Sequence, residues 1–148
     1  MSDPLYRKEL LRLAADAHGA GRLARPDATG HAHNPTCGDK VSVDLTLEGG
    51  RVRAIAQETK ACVLTQASAS ILGERLAGAS RADVEALMQA LTTMLTGGPA
   101  PAPPFDVYGV FDAALAYPSR HRCVLLPLEA VLAAFDASET GEVDAVGR

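Results

Sequence analysis

The chain has 148 residues, of which 47% are hydrophobic and 22% are charged, so it has the composition of one folded domain rather than of a disordered protein. Its net charge of −4 is spread along the chain, and it has no tryptophan, so it offers neither a basic patch nor an aromatic platform for nucleic acid. It contains no run of the roughly 18 to 20 apolar residues that a membrane span needs, and the segment Tyr6–Arg12 is too charged for the core of a signal peptide. We therefore expect a cytoplasmic protein with no nucleic-acid or membrane partner.

The first predicted element is a helix near the amino terminus. Asp3 is expected to cap this helix and Pro4 to occupy its first turn, and Gly19 and Gly21 are expected to end it. A polar segment follows, in which residues Thr29 to His33 form a possible short strand.

A β-hairpin is predicted next. Hydrophobic and polar residues alternate strictly from Val41 to Leu47, which is typical of a strand with one buried face, and Gly49-Gly50 favours a tight turn before a returning strand from Arg51 to about Gln57. Cys37 lies as far before this turn as Cys62 lies after it. The hairpin therefore predicts that these two cysteines meet at its open end, with Asp39 on the same approach.

Helices are predicted for most of the remaining chain. One begins directly after Cys62, and another begins at a capping box at Ser80 and runs to Gly97. The proline-rich segment 99–104 is expected to be a stiff surface connector. A short helix over Phe105 to Leu115, with Phe111 and Leu115 packed inward, then leads to a last helix that opens at Pro127, four residues after Cys123. Residues 1–137 are predicted to form the domain and residues 138–148 a flexible tail.

The three cysteines and one nearby aspartate indicate a metal site. Cys37, Asp39, Cys62 and Cys123 supply four donors, which suits tetrahedral zinc or an iron-sulfur centre, and soft sulfur selects these over magnesium and calcium. The odd number of cysteines also argues against a disulfide framework. At a helix amino terminus, the pKa of Cys62 is expected to be lowered. The alternative is that the three are unrelated buried thiols.

Several neighbouring residues have two interpretations each. Arg120 is expected either to hold a carboxylate such as Asp39 or to stabilise a displaced thiolate, unless it is a solvated loop residue. His121 is either a ligand in place of a cysteine or unrelated to the site. His31 and His33 are expected to lie on one exposed face of a strand rather than to join the metal site.

The motifs around the cysteines resemble those of a known family. Three motifs occur in order along the chain. They are Asn-Pro-Thr-Cys-Gly-Asp at residues 34–39, Cys-Val-Leu-Thr-Gln-Ala-Ser-Ala-Ser at residues 62–70, and the segment 120–127 around Cys123. Together they resemble the U-type iron-sulfur cluster assembly proteins, the IscU/SufU/NifU-like family, over roughly residues 5 to 136. The resemblance implies a single compact α+β domain with a three-stranded antiparallel sheet, helices packed on it, and the four ligands converging at one end.

The resemblance also implies a function. We expect a scaffold for [2Fe-2S] assembly and transfer that binds iron or a nascent cluster through Cys37, Asp39, Cys62 and Cys123. Its partners would be a cysteine desulfurase, whose sulfur either Cys37 or Cys123 would accept with support from Arg120, and downstream iron-sulfur acceptor proteins.

Two alternatives remain. Arg122 stands where the scaffold type usually has histidine, and the long segment before Cys123 is similar to the SufU branch of the SUF system. These features favour a zinc-dependent sulfur carrier, a sulfurtransferase that activates the desulfurase without being a scaffold. The second alternative is a structural zinc-binding interaction domain, and a hydrolytic thiol enzyme is a poor further choice.

Overall fold

The computed structural model describes residues 7–36 and 38–140, which form a three-stranded antiparallel sheet in the order β1-β2-β3 with helices packed on it. The strands are β1 (Ala28–Asn34), β2 (Asp39–Glu48) and β3 (Arg51–Lys60), and the α-helices are α1 (Lys8–Asp16), α2 (Val63–Arg75), α3 (Arg81–Leu95) and α4 (His121–Thr140). A long 3-10 helix (Phe105–Ala116) and a 3-10 turn (Pro118–Arg120) precede α4. The expected α+β class and single compact domain are confirmed.

The hairpin forms where the alternation predicts it. Val41, Val43 and Leu45 are buried, and Glu48 pairs with Arg51 across the Gly49-Gly50 turn, whose glycines have the positive φ angles of 60° and 78°. A shift of register between Thr46 and Leu47 makes Lys40, rather than Asp39, the partner of Lys60. The possible first strand is also present and pairs with β2 along its whole length.

Two helices fill the space over the sheet. α4 packs across β1 and β2, while α2 lies against β3, α1 and α4. The closest approach is at Gly30 of β1, where a Cβ would lie 2.2 Å from the carbonyl oxygen of Ala130. α2 is buried on nearly every side, and its small residues, Ala67, Ser68, Ala69 and Ser70, permit the close packing that the sequence predicts.

The predicted short helix before α4 is a 3-10 helix, and this corrects one core assignment. Its buried residues are Tyr108, Phe111 and Ala114, which recur at the spacing of three that a 3-10 helix brings to one face. Phe111 is buried as predicted. The inward placement of Leu115 is wrong, since this residue is 36% exposed.

The last helix begins earlier than predicted. α4 starts at His121 and contains Pro127 in its interior, so Cys123 lies in the first turn of the helix and not in a loop before it. The prediction failed because proline is most common at the start of a helix, whereas here residues Val124 and Leu126, upstream of the proline, are fully buried against the rest of the domain. α4 continues to Thr140, beyond the predicted domain end at residue 137.

The amino-terminal helix begins at Lys8, after Arg7 in an extended conformation, which is later than the predicted start. The proposed cap at Asp3 and Pro4 lies outside the described residues, as do Cys37 and residues 141–148. Within the part of the chain that the structure describes, none of the helices combines the length and apolarity needed to cross a membrane.

Candidate metal centre

Three elements bring candidate ligands to one end of the sheet. Asp39 is the first residue of β2, Cys62 is the N-cap of α2, and Cys123 lies in the first turn of α4. The turn that leads into β2 is closed by a hydrogen bond from the Gly38 N–H to the Asn34 carbonyl, 2.8 Å long. The expected position of Cys62 at a helix start is confirmed. Because two helices begin here, the positive ends of both helix dipoles face this region.

The ligand atoms of these residues form a tight group. A carboxylate oxygen of Asp39 and the Sγ atoms of Cys62 and Cys123 all lie within 4.8 Å of one another. Asp39 is 4% exposed and Cys123 is 2% exposed, whereas Cys62 is half-buried. Among the residues that the structure describes, no other histidine, cysteine or acidic side chains form such a group of three or more. The predicted meeting of Asp39 with two of the cysteines is therefore present.

Hydrogen bonds hold the carboxylate of Asp39 at both of its oxygens. The backbone N–H of Cys62 donates to Oδ1 at 3.2 Å, and the hydroxyl of Thr65 donates to Oδ2 at 3.0 Å. The second of these bonds is fully buried, and Thr65 Oγ1 also lies 3.5 Å from Cys62 Sγ. A carboxylate with two such donors is oriented before any ligand reaches it.

The thiol of Cys62 is more acidic than an ordinary cysteine. A hydrogen bond from the Cys123 thiol is the largest cause, and hydrogen bonds from Thr65 add to it, so that the pKa of Cys62 falls to about 6. Burial and the negative charge of Asp39 act in the opposite direction but do not cancel these hydrogen bonds. Cys62 is therefore largely ionised near neutral pH, and the thiolate is the form that binds metals and attacks sulfur.

The donor chemistry fits a thiophilic metal. Two sulfurs and one carboxylate supply three of the four ligands that tetrahedral zinc or an iron atom of a cluster requires, and sulfur excludes the hard cations. The predicted fourth donor, Cys37, lies outside the described residues, although its neighbours Thr36 and Gly38 lie in the turn at this end of the sheet. The full set of four ligands thus stays a prediction.

The other candidate residues from the sequence analysis lie in the 3-10 turn before α4 and in the first turn of α4. Arg120 is partly buried in the 3-10 turn just before α4, and its expected contact with Asp39 or a thiolate stays a prediction. The Nε2 atom of His121 lies 3.0 Å from the carbonyl oxygen of Ala114, which turns the ring toward the long 3-10 helix. Arg122 donates to Glu129 at 3.2 Å and to the backbone of β1 at 3.4 Å.

The two histidines of β1 are both exposed, as expected for one face of a strand. His31 lies 2.8 Å from the hydroxyl of Ser42 through its Nδ1 atom, and His33 pairs with Lys40 in the sheet register. Neither belongs to the group of ligand atoms formed by Asp39, Cys62 and Cys123.

Sequence reasoning missed Thr65. Its position in the first turn of α2, three residues after the N-cap Cys62, is the one signal that the sequence offers, because a side chain there reaches back to the N-cap. Its bond to Asp39 depends on the packing of α2 beside β2, which no local pattern predicts.

Two iron-sulfur cluster assembly proteins are similar to this chain in sequence. An IscU iron-sulfur cluster assembly scaffold protein of Thermotoga maritima is 26% identical over 122 residues, which cover 82% of this chain and 86% of that protein. A protein of the same description from Streptococcus pyogenes is 27% identical over 126 residues, covering 84% of this chain and 79% of the relative.

Among solved structures, the amino-terminal part of a NifU-like protein of Brucella abortus is 35% identical with a TM-score of 0.87, and the match covers 93% of this chain and 96% of that one. A putative scaffold protein for the SUF system from Fervidobacterium islandicum shares the fold, with a TM-score of 0.79 at 21% identity over 91% of this chain and 99% of that one. The sequence pattern of the NifU-like N terminal domain family matches residues 5–123, and the chain therefore belongs to that family.

Proposed function

We propose that this protein is a scaffold for iron-sulfur cluster assembly, on which a [2Fe-2S] cluster is built and from which it is passed on. The observation that carries the proposal is the group of ligand atoms from Asp39, Cys62 and Cys123 within 4.8 Å of one another. Membership of the NifU-like family and the likeness to IscU scaffold proteins support the same function. Cys37 completes the proposed ligand set.

The two kinds of ligand have different tasks in this proposal. The thiolates of Cys37, Cys62 and Cys123 bind iron firmly, whereas the harder carboxylate of Asp39 binds it less tenaciously. Asp39 is therefore the ligand that leaves first, which keeps the cargo exchangeable. The hydrogen bonds that Asp39 accepts from Cys62 and Thr65 give the carboxylate an alternative partner when it leaves the iron.

Sulfur enters by thiol-persulfide exchange with a cysteine desulfurase. A thiolate of the scaffold, Cys37 or Cys123, attacks the outer sulfur of the persulfide on the desulfurase, so that a new S–S bond forms and the desulfurase cysteine leaves as a thiolate. Reduction of each transferred sulfur to sulfide then takes two electrons from a separate electron-carrier protein. Arg120, at the start of the segment that contains Cys123, is suited to stabilise a displaced thiolate by a charge-assisted hydrogen bond.

The test is anaerobic reconstitution with ferrous iron, cysteine, a cysteine desulfurase and dithiothreitol, which supplies the electrons that reduce the persulfide sulfur to sulfide. We expect the absorption spectrum of a [2Fe-2S] cluster on the protein and its loss in Cys62→Ser and Cys123→Ser, followed by transfer of the wild-type cluster to an apo-ferredoxin. Glu48→Gln, at the far end of β2 from Asp39, is the control and keeps the cluster. A wild-type protein that acquires no cluster under these conditions contradicts the scaffold function.

A zinc-dependent sulfur carrier is the second candidate, and the side chain of Arg122 favours it. Arg122 stands where the scaffold type resembled by this chain usually has a histidine, and it binds Glu129 and the backbone of β1. With no imidazole at that position, three thiolates and Asp39 make a closed tetrahedral zinc site. Elemental analysis that finds tightly bound zinc, together with faster desulfurase turnover and no transferable cluster, identifies the carrier. Zinc without either activity identifies the structural domain.

A further inference from the structure

We propose that Thr65 is the positioning residue for the Asp39 carboxylate, and that its hydroxyl sets how strongly the site holds a metal. The inference rests on the proposed metal-binding function for its affinity effect, but the positioning itself is a property of the metal-free protein. Thr65 is fully buried in the first turn of α2, and its hydroxyl donates to Asp39 Oδ2 at 3.0 Å.

The hydroxyl has one proton and two neighbours. Asp39 Oδ2 lies at 3.0 Å and Cys62 Sγ at 3.5 Å from Thr65 Oγ1. Both neighbours are charged acceptors when ionised, but the Asp39 oxygen is the closer one, and oxygen is a better acceptor than sulfur at these distances. The hydroxyl proton is therefore directed mainly at Asp39, and Cys62 Sγ receives the weaker, secondary part of the interaction.

The hydroxyl matters because the carboxylate is almost completely removed from water. Asp39 is 4% exposed, so water does not replace the Thr65 hydroxyl if it is lost. A second hydrogen bond to this carboxylate comes from the N–H of Cys62, which itself carries a candidate ligand. A loose carboxylate therefore also loosens the backbone at Cys62, and both ligands become less well oriented.

The first measurement uses the metal-free protein. Amide hydrogen exchange of the Cys62 N–H, followed by NMR, is expected to be roughly two- to tenfold faster in Thr65→Val than in the wild type, which is the effect of weakening one hydrogen bond. Thr65→Ser, which keeps the hydroxyl, restores slow exchange. Thr92→Val is the matched control, because Thr92 donates to a helix carbonyl in α3 and lies on an exposed face. Unchanged exchange in Thr65→Val overturns the proposal. Should that variant not fold, Thr65→Ala is used in its place.

The second measurement is the affinity for zinc by competition with a chelator. Loss of a group that orients a ligand costs roughly 10- to 100-fold in affinity, and we expect this loss in Thr65→Val and its recovery in Thr65→Ser. The loss must disappear when Asp39→Ala is already present, because the hydroxyl then has no carboxylate to hold. A loss that persists in the Asp39→Ala background but vanishes with Cys62→Ser assigns the hydroxyl to the sulfur and overturns the proposal. If the wild-type protein binds neither zinc nor iron, this result contradicts the proposed function but not the role of Thr65. The hydrogen-exchange measurement on the metal-free protein then still decides whether Thr65 positions Asp39.

Discussion

Replacement of Gly30 by alanine tests the packing that places Cys123 in the site. An added Cβ at Gly30 would lie 2.2 Å from the carbonyl oxygen of Ala130 and 2.3 Å from the backbone nitrogen of Ala134, both in α4. Real Cβ contacts are essentially never shorter than 3.0 Å, so β1 and α4 must separate by about 0.8 Å at this point. The opposing atoms belong to the backbone, which cannot rotate away as a side chain does.

The expected cost is that of overpacking a core. Such insertions destabilise by roughly 1–3 kcal/mol, and rigid backbone atoms place Gly30→Ala at about 3 kcal/mol. For a domain of this size, that loss lowers the melting temperature by roughly 10 °C. Ala130 lies two helical turns after Cys123 on the same side of α4, so the displacement also shifts Cys123 relative to the sheet that carries Asp39. We therefore expect weaker metal binding in addition to lower stability.

Urea denaturation followed by far-UV circular dichroism measures the change. Gly109→Ala is the matched control, because Gly109 does not have a positive φ and its added Cβ would meet the Ala100 Cβ at an ordinary 3.6 Å. We expect this control to be neutral or slightly stabilising, since alanine restricts the unfolded chain. Equal stability of Gly30→Ala and Gly109→Ala would refute the close approach of β1 and α4.

The remaining predictions concern the site and the 3-10 helix. The rate of Cys62 alkylation, followed by peptide mapping across pH, should have its midpoint near pH 6. Cys123→Ala should raise this midpoint, because the hydrogen bond from the Cys123 thiol is the largest cause of the low pKa of Cys62. An ordinary midpoint of about 8.5 in the wild type would contradict the prediction. Since the pKa of Cys62 is lowered in the folded state, the contribution of this thiolate to stability is complete above the pKa of an ordinary thiol and is lost as the pH falls through about 6. The free energy of unfolding, measured across this pH range, checks the prediction. Asp39→Cys should bind metal more tightly but transfer sulfur or cluster more slowly in a time course to an acceptor, and equal or faster transfer would exclude a labile role for Asp39. Phe111→Ala should cost roughly 3–5 kcal/mol and Leu115→Ala less than about 0.5 kcal/mol in thermal unfolding. Comparable costs for the two variants would instead indicate an α-helix, which places both residues on one face.

Much of the site could be predicted because its elements have local signals. The alternation before Gly49-Gly50 predicts the hairpin, and Cys62 directly precedes a helical pattern, so both the open end of the hairpin and the helix start follow from neighbouring residues. The capping box at Ser80 and Asp83 forms as predicted for the same reason. Each of these features depends on groups only a few positions apart.

Contacts between distant segments decided the rest. Asp44 belongs by alternation to the polar face of β2, yet its side chain is buried because Arg22 and Thr29 fold over it and donate to its carboxylate at 2.7 Å each. Burial alone raises the pKa of Asp44, but the hydrogen bonds, with that from Arg22 the largest, leave the pKa below its usual value. No local pattern of β2 indicates this neighbour.

The amino-acid sequence by itself determined the hairpin, the start of α2 at Cys62 and the identity of the candidate ligands, because turns, caps and donor atoms depend on residue type and short spacing. Only the tertiary structure decided that α4 begins before Cys123, since the Ser68 hydroxyl of α2 donates to the Val124 carbonyl at 2.7 Å inside a core that holds this segment helical. Only the packing of α2 beside β2 decided that Thr65 reaches Asp39. The physical reason is that burial of distant surfaces against one another outweighs the weaker preferences of each segment.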